Sequence, residues 1–342
     1  MRQIKVLVVE DSMFFREFLV KNLNKDPALN VVAAVQDPFE ARDAIVKYRP
    51  DVMTLDIELP RMDGIEFLKK LMPQYPMPVV MISALRNRAQ EALEAGAVDF
   101  AVKPGMSDKH KLEEFVQKDL PIKIKIASTA KIGRLKNHTE LQIQESGGTN
   151  DQEMVVAIGA STGGTEAIAE VLKDFGTDIP GVVIVQHMPE GFTGMYAERL
   201  NNQCHVRVKE ARNGDRVLPG QVLIAPGGDA HMKLIRVNGA YQVEIKKGAK
   251  VNGHRPSVDV LFQSVAQAAG ANSLGIILTG MGGDGARGLL AMRQAGARTI
   301  GQDESTCIVY GMPKVAYDIG AVEYQEKLSD IARKTYQLIN RV

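Results

Sequence analysis

The chain has 342 residues, which at about 100 to 200 residues per domain predicts two or three domains and excludes a single small module. Its 42 Lys and Arg residues balance 41 Asp and Glu residues to a net charge of +1, so there is no global basic field for nucleic acid or anionic lipid. Hydrophobic residues make up 45% and charged residues 24% of the chain, a balance that excludes disorder of the whole molecule.

The cysteines and the first residues of the chain indicate its cellular location. Cys204 and Cys307 are far apart and have no metal-ligand spacing, which favours a reducing, cytoplasmic compartment. Glu10 and Asp11 directly follow a short apolar run, so we expect no signal-peptide core. No stretch is long enough for a membrane span, which needs about 18 apolar residues. We therefore expect a cytoplasmic protein that is not inserted in a membrane.

The first third of the chain alternates short β-branched runs with longer amphipathic segments. Continuous apolar runs separated by helix-length segments are typical of βαβ units on a parallel sheet that is covered on both faces. The predicted strands are residues 6–9, 31–35, 52–55, 79–82 and 98–102. We expect a doubly wound α/β domain over residues 1–122.

A polar stretch separates this domain from a second α/β alternation. We expect a linker at residues 123–152 and a second doubly wound parallel-sheet domain at 153–342. The predicted strands of the second domain are residues 154–158, 182–185, 222–225, 274–278 and 299–301. Within it, residues 231–237 and 242–246 flank Asn238-Gly239, a strong signal for a β-hairpin with a type I′ turn.

Acidic residues follow two strands of the first domain. Glu10 and Asp11 follow the first strand and Asp56 follows the third, so these three residues, here called the acidic cluster, should meet at the carboxyl edge of the sheet. Clustered carboxylates repel each other without a cation, and their oxygens suit Mg²⁺. Ser83 and Lys103 follow the fourth and fifth strands, where they could bind a phosphoryl group on Asp56. A single Asp or Ser after a strand is more often a helix N-cap.

Several motifs of the first domain resemble the receiver domain of two-component response regulators, which has a flavodoxin-like fold. The motifs are Val8-Val9-Glu10-Asp11-Ser12, Leu55-Asp56, Pro60, Met62-Asp63-Gly64, Ser83-Ala84 and Lys103-Pro104. The resemblance implies that Asp56 accepts a phosphoryl group from a histidine kinase and that the acidic cluster holds Mg²⁺. It also implies that Lys103 pairs with the phosphoryl group and that Ser83 moves to bind it. Phe100 is at the position of the aromatic switch residue, where a plain core residue is equally expected.

A glycine-rich loop opens the second domain. Residues 159–164, Gly-Ala-Ser-Thr-Gly-Gly, follow a strand and precede a helix-like segment. As G-x-S-x-G the loop is a nucleophile elbow that presents Ser161. It could instead cradle a dinucleotide pyrophosphate, or be only a turn that needs glycine. The motif alone leaves these three alternatives open.

A nucleophilic serine needs a base and an orienting acid. His187 ends the strand that follows the Ser161 helix, which predicts the same crevice, and it is preferred over the histidines in turns or polar stretches, which are His205, His231 and His254. Asp284 is the only acid in the glycine-rich loop 279–285 after another apolar strand, although it could also cap a helix starting near Ala286. The competing acids, Asp215, Asp229 and Asp259, follow no strand so clearly.

The dinucleotide alternative meets two objections. The second strand of this domain ends in Gln186-His187, whereas such sites usually have an acid there for the ribose hydroxyls. Tyr310 and Lys314 have the Y-x-x-x-K spacing of short-chain reductases, but Pro313 between them would disrupt the helix that must carry both. A hydrolase is therefore favoured over an oxidoreductase.

The second domain resembles the catalytic domain of the chemotaxis protein-glutamate methylesterases, which is Rossmann-like. The motifs that carry the resemblance are 159–165, Gln186-His187-Met188-Pro189, Arg255-Pro256-Ser257-Val258-Asp259 and 279–285. It implies a Ser161, His187 and Asp284 triad, and oxyanion contacts near Thr162 and Met281.

The same resemblance implies the reaction and its regulation. It implies hydrolysis of glutamate methyl esters on methyl-accepting chemotaxis receptors, deamidation of certain receptor glutamines, no organic cofactor, and a receiver that covers the crevice until Asp56 is phosphorylated. The competing class is a non-enzymatic output domain that only binds a partner, which a degenerate triad would have favoured.

Overall fold

The computed structural model describes residues 3–339 except 86–87, 106–107, 131–153 and 189. The chain divides into two compact units, Met1–Arg134 and Leu135–Val342. None of the described helices is both long and apolar enough to cross a membrane.

The first unit is a five-stranded, all-parallel sheet flanked by helices. The strands are β1 Ile4–Val9, β2 Leu29–Val35, β3 Val52–Asp56, β4 Val79–Ser83 and β5 Asp99–Val102. Their order, β2-β1-β3-β4-β5, is the doubly wound order that places a ligand crevice at the end of β1 and β3. The helices are α1 Met13–Leu23, α2 Pro38–Tyr48, α3 Gly64–Leu71, α4 Ala89–Glu94, α5 Lys109–Glu114 and α6 Leu120–Ser128, with a π-helical turn at Phe115–Asp119 between the last two.

Helix α6 corrects the predicted start of the linker. Residues 123–128 were expected in the linker, but they are helical, and Leu120, Ile124 and Ala127 lie in the core. Lys123 and Lys125 form ion pairs with Asp99 and Asp26. The two lysines make the segment polar in composition. Its apolar residues nevertheless recur at helical spacing and form one buried face of a helix. Residues 131–152 of the expected linker lie outside the described residues.

The second unit is a seven-stranded, all-parallel sheet with a separate β-hairpin. The strands of the sheet are β6 Val155–Ala160, β7 Gly181–Gln186, β8 Arg207–Glu210, β9 Gln221–Ile224, β12 Ser273–Ile277, β13 Arg298–Gln302 and β14 Tyr324–Glu326, in the order β14-β13-β12-β6-β7-β9-β8. The hairpin pairs β10 Ala230–Val237 with β11 Ala240–Lys247. Asn238 and Gly239 have φ of 50° and 81°, as a type I′ turn requires, so the hairpin prediction is confirmed.

Helices cover both faces of the second sheet. They are α7 Gly164–Lys173, α8 Phe192–Gln203, α9 Val258–Ala268, α10 Ala286–Gln294, α11 Met312–Asp318 and α12 Leu328–Ile339. Alternate residues of β6 enter two cores: Val156 and Ile158 pack in one with α7 and α12, whereas Val155 and Ala157 pack in the other with α9 and α10. Burial of both faces explains the continuous apolar runs of the sequence. The predicted fold class, two doubly wound parallel-sheet α/β domains, is confirmed.

Candidate functional site

Three neighbouring strands of the second unit bring their following loops together. Strand β6 lies between β12 and β7, and all three run parallel. The N–H of Ser161, directly after β6, donates to the carbonyl of Thr279 at 3.0 Å, and the N–H of His187, directly after β7, donates to the carbonyl of Ala160 at 3.1 Å. Ser161, His187 and loop 279–285 therefore share one crevice at the carboxyl ends of these parallel strands.

Glycine is required at two points around Ser161 by different constraints. Gly163 has φ of 75° at the start of α7, and a Cβ there would lie 2.7 Å from Ile308. A Cβ on Gly280 would lie 2.7 Å from the Cβ of Ser161. The loop carrying Met281 and Asp284 can therefore press directly against the serine.

The two ring nitrogens of His187 have different surroundings. Nε2 lies 2.8 Å from Oδ2 of Asp284. Nδ1 is buried and has no hydrogen-bond partner among the described residues, so it is not bonded to Ser161 in this structure. The His254 ring stacks on His187 with centroids 3.8 Å apart. Because an ionised carboxylate only accepts hydrogen bonds, Nε2 carries the proton of the neutral ring and Nδ1 keeps its lone pair.

Asp284 is only 1% exposed and accepts several hydrogen bonds besides that from His187. The N–H of Val258 and the hydroxyl of Ser257 each donate to it at 2.7 Å, and Nδ2 of Asn252 donates at 2.8 Å. Burial by itself would raise the pKa of Asp284, but the hydrogen bonds from His187, Asn252 and Ser257 outweigh it and hold this pKa well below its usual range. Asp284 is therefore ionised at neutral pH.

Asp284 caps a different helix from the one that the sequence analysis considered. The residue that precedes α10 is Gly285, which has no side chain to cap it, while Asp284 accepts N–H groups from the first turn of α9. The positive end of the α9 dipole thus faces the carboxylate. Its partners Asn252 and Ser257 were missed as site residues. The only sequence signal was Ser257 inside the motif 255–259, which carried the resemblance without a role for each residue.

Gln186 is a further residue at the site that the sequence analysis assigned no role. Its Nε2 donates to the carbonyl of Ser161 at 2.8 Å and to that of His187 at 3.3 Å. Gln186 is buried, and a Cβ on Gly164 would lie 2.1 Å from its Oε1. The amide therefore ties the loop of the serine to that of the histidine, and Gly164 leaves room for it.

Thr162 directly follows Ser161, and Met281 directly follows Gly280, which lies against Ser161. Within the described part of the chain, the backbone N–H of neither residue forms a hydrogen bond. The Thr162 carbonyl accepts from the hydroxyl of Thr279 at 3.1 Å, which fixes its peptide against loop 279–285. The Met281 side chain is 44% exposed. Two free backbone donors beside a serine have the character of an oxyanion hole.

The rejected candidates have structural roles. His231 is buried, its Nδ1 accepts from Ser257 N–H, and its Nε2 contacts the Ala249 carbonyl at 2.8 Å. Asp215 and Asp229 form ion pairs with lysines. Helix α11 begins only at Met312, so Tyr310 lies before it and cannot share a helical face with Lys314.

The acidic cluster assembles at the carboxyl edge of the first sheet. One oxygen each of Glu10, Asp11 and Asp56 lies within 4.8 Å of the others. The ammonium of Lys103 contacts Asp56 and lies 2.7 Å from Glu10. Burial raises the pKa of Asp56 and raises that of Glu10 to about 7, although Lys103 opposes both shifts. The cluster thus brings together oxygen ligands whose ionised forms need a nearby cation.

Ser83 and Phe100 lie on the strands next to this cluster. Ser83 ends β4, is fully buried, and its hydroxyl accepts from Leu85 N–H at 3.0 Å. Its carbonyl accepts from Lys103 N–H at 2.9 Å. Phe100 is buried in β5. No described hydrogen bond joins Ser83 to Asp56, so the structure brings Lys103 to the aspartate and leaves the Ser83 hydroxyl engaged elsewhere.

Comparison with known proteins covers both units. A family model described as CheB methylesterase matches residues 156–335, and one described as response regulator receiver domain matches residues 6–117. Protein-glutamate methylesterase/protein-glutamine glutaminase 2 of Syntrophomonas wolfei subsp. wolfei is 60% identical over 342 residues, covering 100% of this chain and 99% of that protein. The protein-glutamate methylesterase/protein-glutamine glutaminase of Syntrophotalea carbinolica is 49% identical, covering 99% of this chain and 98% of that protein.

A solved structure agrees with the second unit. The crystal structure of the Thermotoga maritima CheB methylesterase catalytic domain is 38% identical, with a TM-score of 0.53, and the match covers 54% of this chain and 98% of that one. Receiver motifs, a second unit with its serine, histidine and aspartate in one crevice, and full-length relatives all agree. The chain belongs to the protein-glutamate methylesterase/protein-glutamine glutaminase family, with a response-regulator receiver domain followed by a CheB methylesterase domain.

Proposed function

We propose that the second domain is a serine hydrolase that removes methyl esters from glutamate residues of chemoreceptors and releases methanol. The observation that carries this proposal is the His187–Asp284 hydrogen bond in the crevice that also contains Ser161. The domain also deamidates specific receptor glutamines, because the same acyl transfer can expel ammonia. Its relatives are named for both activities.

The chemistry needs one base acting twice. Ser161 Oγ attacks the ester carbonyl while Nδ1 of His187 takes the hydroxyl proton, and Asp284 stabilises the resulting imidazolium. The proton then passes to the leaving methoxide, and the C–O bond breaks to give methanol and an acyl-enzyme. A water attacks this ester, His187 accepts its proton, and protonated Ser161 leaves with release of the glutamate carboxylate.

The free N–H groups of Thr162 and Met281 stabilise the developing oxyanion. A well-placed donor of this kind is worth about 3 kcal/mol of transition-state stabilisation. This stabilisation is largest when the oxyanion points between the two N–H groups. No organic cofactor takes part in this sequence of steps.

In the receiver, Asp56 accepts a phosphoryl group from a histidine kinase. Mg²⁺ suits the oxygen-only donor set of Glu10, Asp11 and Asp56, and when bound it would neutralise charge on the incoming phosphoryl group. Lys103 then pairs with the phosphoryl oxygens, Ser83 leaves the Leu85 N–H to bind them, and Phe100 responds as the aromatic switch.

The receiver regulates the esterase as a brake. Unphosphorylated, it covers the crevice of Ser161, and phosphorylation of Asp56 adds nearly two negative charges that shift the receiver away. A tenfold activation needs only about 1.4 kcal/mol of shift between covered and open arrangements. The protein works in the cytoplasm on membrane-embedded receptors.

Methanol release from methylated receptor membranes tests the nucleophile. Ser161→Ala and His187→Ala should each abolish release while Asp56 is still phosphorylated normally. Ser329→Ala, in the exposed first turn of α12, is the matched control and should keep full activity. Near-normal release by Ser161→Ala would reject the serine mechanism, and no release by the unaltered chain would favour an output domain that only binds a partner.

A further inference from the structure

Asn252 connects two buried carboxylates at the back of the crevice. It lies in the turn between β11 and α9, with φ of 51°. Its Nδ2 donates to Oδ1 of Asp284 at 2.8 Å and to Oδ2 of Asp259 at 2.7 Å. Among the described residues it is the only side chain that donates to both. Each of the two amide hydrogens therefore serves one carboxylate.

The two carboxylates need such a donor because they lie close together and out of water. Asp259 is 3% exposed and Asp284 1% exposed. Burial raises the pKa of Asp259, and the charge of Asp284 adds to that rise. Gly288 N–H donates to the other oxygen of Asp259 at 2.7 Å. Two adjacent buried anions repel, and a carboxylate that turned or took up a proton would change the hydrogen bond to His187.

We propose that Asn252 is a positioning residue for the esterase reaction, which holds the carboxylate of Asp284 in the orientation that serves His187. Its amide occupies Oδ1 together with the Ser257 hydroxyl, so that Oδ2 accepts from Nε2 of His187 and from the N–H of Val258. Asn252 itself touches neither the serine nor the imidazole in the described contacts. This inference rests on the proposed function, since it assigns a part in that same mechanism.

The backbone at this position makes clean variants available. Asn252 is exposed as a whole and only its amide reaches inward, so substitution should not disturb the core. Asp and Gly both tolerate the left-handed backbone conformation of this position. Asn252→Asp keeps the shape but replaces both donors with acceptor oxygens and adds a negative charge. Asn252→Gly removes the amide without adding charge.

Asn238 offers a matched control. It is also an exposed asparagine with a left-handed φ, 50°, and it also precedes a glycine. It lies in the β10–β11 hairpin turn, away from the triad in the chain and with no contact to it among the described residues. Asn238→Asp and Asn238→Gly therefore reproduce the backbone and charge changes without the proposed loss.

The experiment measures methanol release by the full chain on methylated receptor membranes, as kcat, KM and a pH profile. Both Asn252 variants should lower kcat about 10- to 100-fold with KM nearly unchanged, since misplacing a catalytic group has costs of this size. The groups facing the His187 ring are Asp284 and the stacked His254, with Asp259 behind Asp284. The added charge of Asn252→Asp should therefore also move the acid limb of the profile to higher pH, and Asn252→Gly should not.

The outcomes separate this inference from the proposed function. Wild-type kcat and pH profile for Asn252→Asp would overturn it, as would equal losses in the Asn252 and Asn238 variants. If Asn252→Asp folds poorly, the kcat of Asn252→Gly decides alone. Failure of the proposed function would appear instead as full activity in Ser161→Ala.

Discussion

At the residue scale, ionised Asp284 makes His187 the group that controls the acid side of the reaction. The hydrogen bonds that lower the pKa of Asp284 keep it charged throughout the pH range in which an imidazole titrates. We therefore expect a single fall in rate on the acid side, where protonation of His187 removes the base. The measurement is initial methanol release between pH 5 and 8 with far-UV circular dichroism as a folding control. A flat rate down to pH 5 in folded protein would exclude His187 as the base.

Asp284→Asn should affect both turnover and stability. An amide cannot accept from Nε2 as the carboxylate does, so turnover should fall by about 10²- to 10⁴-fold, less than in Ser161→Ala. A carboxyl whose pKa is lower in the folded than in the unfolded state stabilises the protein at any pH above its unfolded-state pKa. That stabilisation is lost as the pH falls through the folded-state pKa. Urea unfolding should therefore show a loss of about 1 to 3 kcal/mol at pH 7 that narrows below about pH 4. A loss that grows under acid would contradict this sign.

The residue types at the centre of the site were predictable, and their surroundings were not. A serine in G-x-S-x-G, a histidine ending a strand and an acid in a glycine loop are visible in the sequence because each follows a strand. The sequence does not show which ring nitrogen of His187 contacts Asp284, because that depends on how distant segments pack. The same holds for the acceptance by Asp284 of hydrogen bonds from α9 rather than α10. Asn252 was missed for the same reason, since an Asn-Gly pair by itself indicates only a turn.

At the element scale, the contact between β6 and α9 holds the serine strand against the helix that carries the carboxylate site. A Cβ on Gly159 would lie 2.2 Å from Val258 Cγ1, with both residues buried. Gly159→Ala should therefore lower the free energy of unfolding by about 1 to 3 kcal/mol and reduce activity through displaced Ser161. Chemical denaturation of the unaltered chain and the variant measures the change in the free energy of unfolding.

Gly194→Ala is the matched control for that change. Gly194 lies inside α8, and a Cβ there would lie 3.5 Å from Glu210 Oε2, an ordinary van der Waals distance. Alanine is favoured over glycine in a helix by up to about 1 kcal/mol, so this variant should be unchanged or more stable. Equal destabilisation by both variants would mean that the β6–α9 contact is not the cause.

Elements with strong apolar runs were predictable, and weak ones were not. The central strands of both sheets were found because they are buried on both faces. Strands β8 and β14 were missed because they are short edge strands, with only Val208 buried in the first and no residue fully buried in the second. Most of helix α6 was predicted as linker because its lysines make the segment polar on average. Its apolar residues become recognisable as one helix face only when they pack in the receiver core.

At the scale of the whole molecule, the two compact units allow the brake to be tested directly. The second unit has its own two cores, and the corresponding domain of the Thermotoga maritima relative was crystallised by itself. A fragment beginning at Asp151 should therefore fold, and it should have higher basal esterase activity than the full chain because nothing covers its crevice. Methanol release at equal concentrations on the same membranes compares them. A fragment that is no faster would reject the brake and leave recruitment or allosteric activation.

The order of domains was predictable at this scale because each domain carries its own motifs. The effect of a phosphoryl group on the activity of the other domain is harder to predict from sequence. It depends on the difference in free energy between the covered and open arrangements.

The most direct measurement of the central claim is methanol release by the full chain with and without a small-molecule phosphoryl donor. We predict a low basal rate that rises on addition of the donor, a basal rate without response for Asp56→Asn, and no release under either condition for Ser161→Ala. Release that persists in Ser161→Ala, or that responds to the donor in Asp56→Asn, would contradict the account.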